Sequence, residues 1–155
     1  MSVDDLKAAV TPITEHIAGK PLNAELDAEL NRVFPPGSAA FEALAAACRT
    51  GMDEGWLGER EHGGVRFGRP IKPGPETAGF SVDVVRYKDL AGPHHGHPKG
   101  EIDFILPIDE TAAFDGRGAG WLVYEAGTEH HPTISGGEAI VLYLLPDGEI
   151  AFTKR

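Results

Sequence analysis

The sequence is poor in three features that would each point to a particular class of protein. Among its 155 residues Cys48 is the one cysteine, so an internal disulfide is impossible. Its alanine neighbours favour a small buried hydrophobe over a nucleophile. No apolar run approaches the roughly 20 residues of a membrane-spanning helix, and the N-terminus has no basic-then-apolar signal pattern. We therefore expect a cytoplasmic protein.

Basic residues are also scarce. Fourteen Lys and Arg face 24 Asp and Glu, which gives a formal net charge of -10. Nucleic acids and anionic membranes are bound by clustered basic side chains, so neither is an expected partner. The length suits one domain with a sizeable core, and the 20 glycines and 12 prolines favour a fold with many turns.

The first third of the chain has helical periodicity. Ser2-Val3-Asp4-Asp5 resembles a capping box, and apolar residues then recur at three- and four-residue steps. Pro12 interrupts this stripe, so that the helix either kinks there or restarts with Thr11 as the cap of a second helix.

Two further helices are predicted before residue 58. The first carries an apolar stripe that ends before a Pro-Pro-Gly stop: Leu22, Leu26, Leu30 and Val33. The second begins at the N-cap Ser38 and ends near Gly51 and Gly55. Catalytic residue types do not gather here, so residues 1–58 are interpreted as a helical packing or oligomerisation region.

From Gly63 onward short β-type runs alternate with glycine-rich turns. The candidate strands span residues 65–69, 80–87, 101–107, 120–124, 139–145 and 150–153. No helical segments separate them, so an antiparallel sandwich or barrel over residues 59–155 is favoured over a parallel sheet. The predicted fold class is therefore α+β, with the helices first. A homodimer is the expected assembly, because twofold pairs are the commonest symmetric oligomers.

Potential metal ligands concentrate in one short stretch. His95, His97 and Glu101 fall at odd positions, and on an extended chain this parity points the three side chains the same way. His130 follows a glycine turn and would complete the set from a neighbouring strand. Three imidazoles and one carboxylate suit a divalent transition metal such as Zn²⁺, Fe²⁺, Mn²⁺ or Ni²⁺.

Two other histidines adjoin these candidates. His94 and His131 would point the opposite way on an extended chain, which favours an outer or surface position for both. A register shift of one residue would exchange His130 and His131, and the sequence leaves that choice open.

Polar residues in the strands are candidates for the lining of a pocket. Asp103 is two residues after Glu101, so on an extended strand its side chain also points inward, where it would be a partner of the metal ligands or a proton carrier. The sequence is equally compatible with a solvated carboxylate at the end of the strand. Tyr143 is either an acid or a core aromatic residue. Arg66 and Arg69 suit recognition of a carboxylate; Arg69 is in phase with apolar neighbours and is the better candidate for the interior. Surface arginines are the alternative.

These motifs resemble the cupin superfamily. Residues 95–101 match the H-x-H-x3-E core of its first motif, and Gly127-Thr128-Glu129-His130 match the G-x-x-H of its second. Glu125 and Ile134 depart from the usual Pro and Asn of the second motif, at positions that mainly shape turns. The resemblance implies a single cupin-type jelly-roll barrel with the four ligands inside it.

Several longer phrases are similar to the 4-hydroxylaminobenzoate lyase family of nitroaromatic catabolism. They are Gly55-Trp56-Leu57, residues 63–69, residues 79–85, residues 90–103, residues 114–121 and residues 141–146. This resemblance implies a metal-dependent conversion of 4-hydroxylaminobenzoate to 3,4-dihydroxybenzoate (protocatechuate) with release of ammonia.

The resemblance also suggests roles for the pocket residues. An arginine, Arg66 or Arg69, would hold the carboxylate of the small aromatic substrate, and Asp103, Tyr143 or His131 would manage protons. Two other readings use the same ligands: another cupin enzyme, such as an iron dioxygenase or an isomerase, and a non-enzymatic module that binds a small ligand.

Overall fold

The computed structural model describes residues 1–153, so residues 154 and 155 of the predicted barrel region lie outside it. The described chain forms helices α1 (Val3–Ile17), α2 (Ala24–Val33) and α3 (Ala39–Glu54). A short 3-10 turn, Pro75–Thr77, lies among strands that follow: β1 (Arg60–His62), β2 (Val65–Ile71), β3 (Phe80–Ala91), β4 (His95–His97), β5 (Glu101–Pro107), β6 (Ala113–Phe114), β7 (Gly120–Tyr124), β8 (Thr128–His130), β9 (Thr133–Pro146) and β10 (Ala151–Phe152).

The helix ends follow the local signals in the sequence. The capping box at Ser2 is confirmed, since its hydroxyl accepts from the Asp4 amide while its own amide donates to Asp5. Helix α1 continues through Pro12, so the alternative of a second helix capped by Thr11 is wrong. The Thr11 hydroxyl instead donates back to the carbonyl of Lys7 in the preceding turn.

The ends of helix α3 agree with the prediction at Ser38 and differ from it at Gly51. Ser38 is the N-cap of α3, as predicted, and Gly55 is its left-handed C-cap with φ 83°. Gly51, expected near the end, lies inside the helix, and a side chain at this position would collide with Trp56 and Leu57. No described helix has the length and apolarity needed to cross a lipid bilayer.

All strand pairs are antiparallel, and they form two sheets. The larger sheet has the order β1-β2-β3-β9-β5-β7, with β6 also paired to β9; the smaller has the order β10-β4-β8. The predicted α+β fold, a helical segment followed by an antiparallel sandwich of two sheets, is confirmed. The strands missed by the sequence, β1, β4, β6 and β8, have two or three residues each and show no periodicity.

The helices cover the outer face of the larger sheet. Outward residues of the central strands share one core with the helix stripes: Val82, Val84, Phe104, Ile140, Leu142 and Leu144. Helix α2 also covers the edge strand β7, where the Asn31 side chain accepts from the Trp121 amide and donates to the Trp121 carbonyl, each at 2.9 Å. Asp27 accepts from the Val123 amide at 2.8 Å, so this edge is closed by helix side chains.

The inner face of the larger sheet looks toward the smaller sheet and carries a second apolar cluster. It includes Tyr87, Ile105, Phe114, Ile134 and Val141. Strand β9 is therefore covered on both sides, as its uninterrupted apolar sequence predicts. His95, His97 and His130 lie in the space between the two sheets.

Candidate metal centre

The four predicted ligands meet where the two sheets come together. His95 and His97 lie on β4, and the residue paired directly with His95 across the sheet is His130 on β8. Glu101 is the first residue of β5, on the other sheet, and it reaches the histidines after the chain turns at Gly100 with φ 91°. All four side chains lie on elements held by strand pairing, so their positions are set by the barrel.

The ligand atoms of these four residues all lie within 4.8 Å of one another. His95 Nε2 is 3.0 Å from His130 Nε2, and His97 Nε2 is 3.3 Å from Glu101 Oε2. Glu101 also lies 3.8 Å from His95 and 3.9 Å from His130. Ligands that each stand about 2.1 Å from one ion are themselves roughly 3 Å apart, so this cluster needs little contraction to hold one.

The outer nitrogens of two rings have partners that direct the inner nitrogens toward the cluster. His97 Nδ1 lies 2.9 Å from the Thr128 hydroxyl, and His130 Nδ1 lies 2.6 Å from Asp115 Oδ2. A carboxylate accepts, so His130 carries its proton on Nδ1 and presents an Nε2 lone pair. His97 Nε2 is buried and has no aligned hydrogen-bond partner within residues 1–153. These residues fit a divalent transition metal.

Asp115 is a site residue that the sequence did not reveal. Besides His130 it accepts from the Tyr124 hydroxyl and, at 2.9 Å, from the Thr133 amide. Burial favours its neutral form, but the hydrogen bonds from His130 and Tyr124 outweigh burial and lower the carboxyl pKa below its ordinary value. Tyr124 in turn stacks on His97, with ring centroids 5.1 Å apart. Asp115 and Tyr124 thus orient two of the ligands.

We expect Asp115→Asn to weaken metal binding by about 10- to 100-fold, because the amide no longer guarantees an acceptor for His130 Nδ1. The measurement is a metal dissociation constant from competition with a chromogenic chelator. Asp53→Asn, at an exposed position on α3, is the control for loss of one negative charge. Unchanged affinity in Asp115→Asn would contradict this role.

The ionisation of the cluster favours ligand forms. Burial lowers the pKa of His95 to about 4, with His130 and His97 adding to that effect against Glu101, so the imidazole is neutral near pH 7. Burial of Glu101 opposes its charge, but the nearby His97 and His95 prevail and lower its carboxyl pKa. A neutral imidazole and a charged carboxylate are the states that coordinate a metal.

A cavity of about 330 Å³ opens beside the cluster. His95 and Glu101 form part of its wall, together with Asp103 and Tyr143. Most of the remaining lining is apolar or aromatic: Val65, Phe67, Val85, Tyr87, Pro93, Phe114, Pro132, Val141, Ile150 and Phe152. The volume is sufficient for one substituted benzene ring.

Asp103 and Tyr143 are both brought to this cavity. They lie side by side on β5 and β9, and Asp83 on β3 continues the row. Neither oxygen of Asp103 has a protein donor within the described chain, and burial, then the charge of Glu101, raises its carboxyl pKa well above the ordinary value. Burial also raises the pKa of the Tyr143 hydroxyl, which is therefore protonated.

His131 is placed away from the cavity. Its ring packs against His94 with centroids 4.8 Å apart, and its Nδ1 lies 3.2 Å from the carbonyl of Gly92. His94 is buried and contacts the hydroxyl of Thr153. His131 is exposed and His94 is buried, and both lie outside the cluster, to which the structure brings His130 instead of His131.

The two predicted arginines also stand outside the cavity lining. Arg66 lies on the outer side of β2, where its guanidinium donates to the carbonyls of Met52, Leu57 and Gly58 and ties α3 to the barrel. Arg69, the arginine expected inside, is exposed; its guanidinium pairs with Asp83 at 2.6 Å and donates to the Gly148 carbonyl. The structure does not bring either guanidinium to the cavity wall.

A family model described as PnbB, 4-hydroxylaminobenzoate lyase, matches residues 8–152. The chain belongs to the 4-hydroxylaminobenzoate lyase family. The match begins within α1 and ends in β10, so membership covers the helices and the barrel together.

Two relatives in this family carry the same name. A 4-hydroxylaminobenzoate lyase of Nocardioides sp. (strain LMS-CY) is 31% identical over 158 residues, which cover 96% of this chain and 93% of the relative. A 4-hydroxylaminobenzoate lyase of Pseudomonas putida is 28% identical over 166 residues, covering 96% and 94%.

Two solved structures match this chain at a lower sequence identity than these relatives. An RmlC-like cupin protein of Ralstonia eutropha JMP134 is 16% identical, with a TM-score of 0.45 over 59% of this chain and 61% of the other. A chain from the crystal structures of the DMSP lyases RdDddP and RnDddQII is 16% identical, with a TM-score of 0.47 over 98% and 97%.

Proposed function

We propose that this protein is a metal-dependent lyase that converts 4-hydroxylaminobenzoate to 3,4-dihydroxybenzoate and ammonia. One water molecule is consumed in the balanced reaction: the N–O bond, the C–N bond and one ring C–H bond break, the ring gains two C–O bonds, and the nitrogen leaves as ammonia. The observation that carries the proposal is a three-histidine, one-glutamate cluster opening onto an apolar cavity in a member of this family.

The metal would be held by His95, His97, Glu101 and His130. When bound, a divalent ion supplies a Lewis acid that stabilises negative charge on oxygen. The chain itself supplies rigidity: β4 and β8 fix two histidines opposite each other, and Asp115 and Thr128 hold the outer nitrogens. Preorganised ligands of this kind need no rearrangement during the reaction.

Asp103 is the proposed proton donor. It lies in the cavity wall two residues from Glu101, it is buried, and neither of its carboxyl oxygens has an aligned hydrogen-bond partner among the described residues. Held neutral by burial and by the charge of Glu101, it carries a proton that can be delivered to the hydroxylamino oxygen as the N–O bond breaks.

Tyr143 is proposed to position the substrate next to Asp103. Its phenol stays protonated and has no hydrogen-bond partner within residues 1–153, so it is free to donate to a polar group of the ring substituent. The apolar walls, including Phe114 and Val141, restrict water to the molecule that the reaction consumes.

Incubation of fully metal-loaded protein with 4-hydroxylaminobenzoate tests the proposal. We expect equimolar ammonia and a catechol product, measured by an ammonia-coupled assay and by absorbance, without uptake of O₂. Metal-stripped protein is the control. Absence of turnover at full loading with each of Zn²⁺, Fe²⁺, Mn²⁺ and Ni²⁺ would overturn the proposal, and O₂ consumption would point to a dioxygenase instead.

A further inference from the structure

The cavity lacks an obvious partner for an anionic substrate. Within residues 1–153 no lysine or arginine lines it, and its polar wall includes the carboxyl groups of Glu101 and Asp103. Arg66 and Arg69 are engaged by backbone carbonyls and by Asp83. In a chain of net charge -10, a bound carboxylate needs a cationic group elsewhere.

Strand β1, at the edge of the larger sheet, carries an arginine and a histidine on one face. Antiparallel register pairs Arg60 with Phe67 and His62 with Val65. Paired residues in an antiparallel ladder project from the same face, and both Phe67 and Val65 line the cavity. His62 is itself part of the lining, and Arg60 stands two residues away on the same side.

Both side chains are available for a ligand. His62 and Arg60 are exposed, and neither has an ion pair or a hydrogen bond of its side chain to any described residue. The intervening Glu61 pairs with Arg66 on the opposite face of the ladder, so its carboxylate is directed away from the cavity. The edge strand therefore presents the Arg60 guanidinium and the His62 imidazole at the cavity, and neither is paired with another side chain of the described residues.

We propose that Arg60 and His62 form the carboxylate-binding rim of the substrate cavity and determine its preference for acidic aromatic compounds. The inference rests on the proposed function for the identity of the substrate. Among the described residues the cavity wall has no lysine or arginine, whereas β1 places Arg60 and His62 at its edge, so an aromatic acid enters with its carboxylate toward β1 and its other substituent toward Asp103. Arginine suits this task because its planar fork accommodates two carboxylate oxygens.

The test compares an acid with its uncharged amide. Dissociation constants of 4-hydroxybenzoate and 4-hydroxybenzamide are measured by calorimetry on metal-loaded wild type, Arg60→Gln, His62→Gln and the double variant. We expect the double variant to bind the acid about tenfold more weakly, as partly exposed charged contacts allow, with the amide unchanged. Arg49→Gln, an exposed arginine on α3, is the charge-matched control and should bind both as wild type does.

Three outcomes would overturn this inference: no preference of wild type for the acid, unchanged acid binding in the double variant, or equal loss of acid and amide. Unchanged amide binding also shows that the variant remains folded. Failure of the wild type to turn over 4-hydroxylaminobenzoate, while the acid preference and its loss are observed, would reject the proposed reaction and leave carboxylate recognition by β1 standing.

Discussion

Replacing His95 by alanine is expected to abolish metal retention and, with it, turnover of 4-hydroxylaminobenzoate. His95 Nε2 stands 3.0 Å from His130 Nε2, and its ring contacts both other histidines of the cluster. Removing a ligand should cost more than the roughly 10- to 100-fold lost when an outer partner of a ligand is removed. Metal content after gel filtration is the measurement, and His97→Ala should behave in the same way.

A neighbouring histidine provides the matched control. His131→Gln should retain the metal of the wild type, since its ring faces Gly92 and His94. Circular dichroism of His95→Ala should match that of chelator-stripped wild type, which separates loss of the metal from loss of the fold. Full metal occupancy in His95→Ala, or loss of metal in His131→Gln, would show that the ligand set is different.

Replacing Asp103 by asparagine is expected to lower kcat by about 100- to 10,000-fold while metal content is preserved. The amide has almost the same shape as the carboxyl group, and Asp103 is not one of the four clustered ligands, so the lost property is the transferable proton. Steady-state kinetics with 4-hydroxylaminobenzoate, together with metal analysis of the same sample, is the measurement.

The Tyr143→Phe variant tests whether Tyr143 positions the substrate or transfers the proton assigned to Asp103. Its hydroxyl lies beside Asp103 in the cavity wall, so its removal should raise KM more than it lowers kcat. A kcat of Asp103→Asn within twofold of wild type, at full metal content, would remove Asp103 from the proposed mechanism. A larger loss of kcat in Tyr143→Phe than in Asp103→Asn would exchange the two roles.

The four predicted metal ligands lie together in the structure, although the strand geometry that selected three of them is only partly present. Parity on one extended chain selected His95, His97 and Glu101, but the chain turns between β4 and β5 and the residues belong to different sheets. They still converge because the turn at Gly100 folds one sheet toward the other. The fourth residue, His130, joins them through strand pairing over a separation that periodicity does not encode.

The arginines show the opposite case. Their charge and their positions in the strand made Arg66 and Arg69 candidates for binding the substrate carboxylate. In the structure they bond to backbone carbonyls and to Asp83 instead. Arg60, the proposed partner of the substrate carboxylate, lies on β1, whose three residues are too few to show a detectable period in the sequence. Asp115 was overlooked because it lies in a turn, in a left-handed conformation with φ 49°, where an aspartate usually suggests only local hydrogen bonding.

The sequence by itself determined the class of the molecule: three amphipathic helices, the N-caps of the first and third, a turn-rich antiparallel remainder, and the residue types of a metal site. These properties depend on side chains close together in the chain, where helical and strand periodicity operate. Tertiary structure alone decided the orientation of each imidazole, the part of Asp115, the partners of the arginines and the shape of the cavity. Those depend on strand register and sheet packing, which join atoms from residues far apart in sequence.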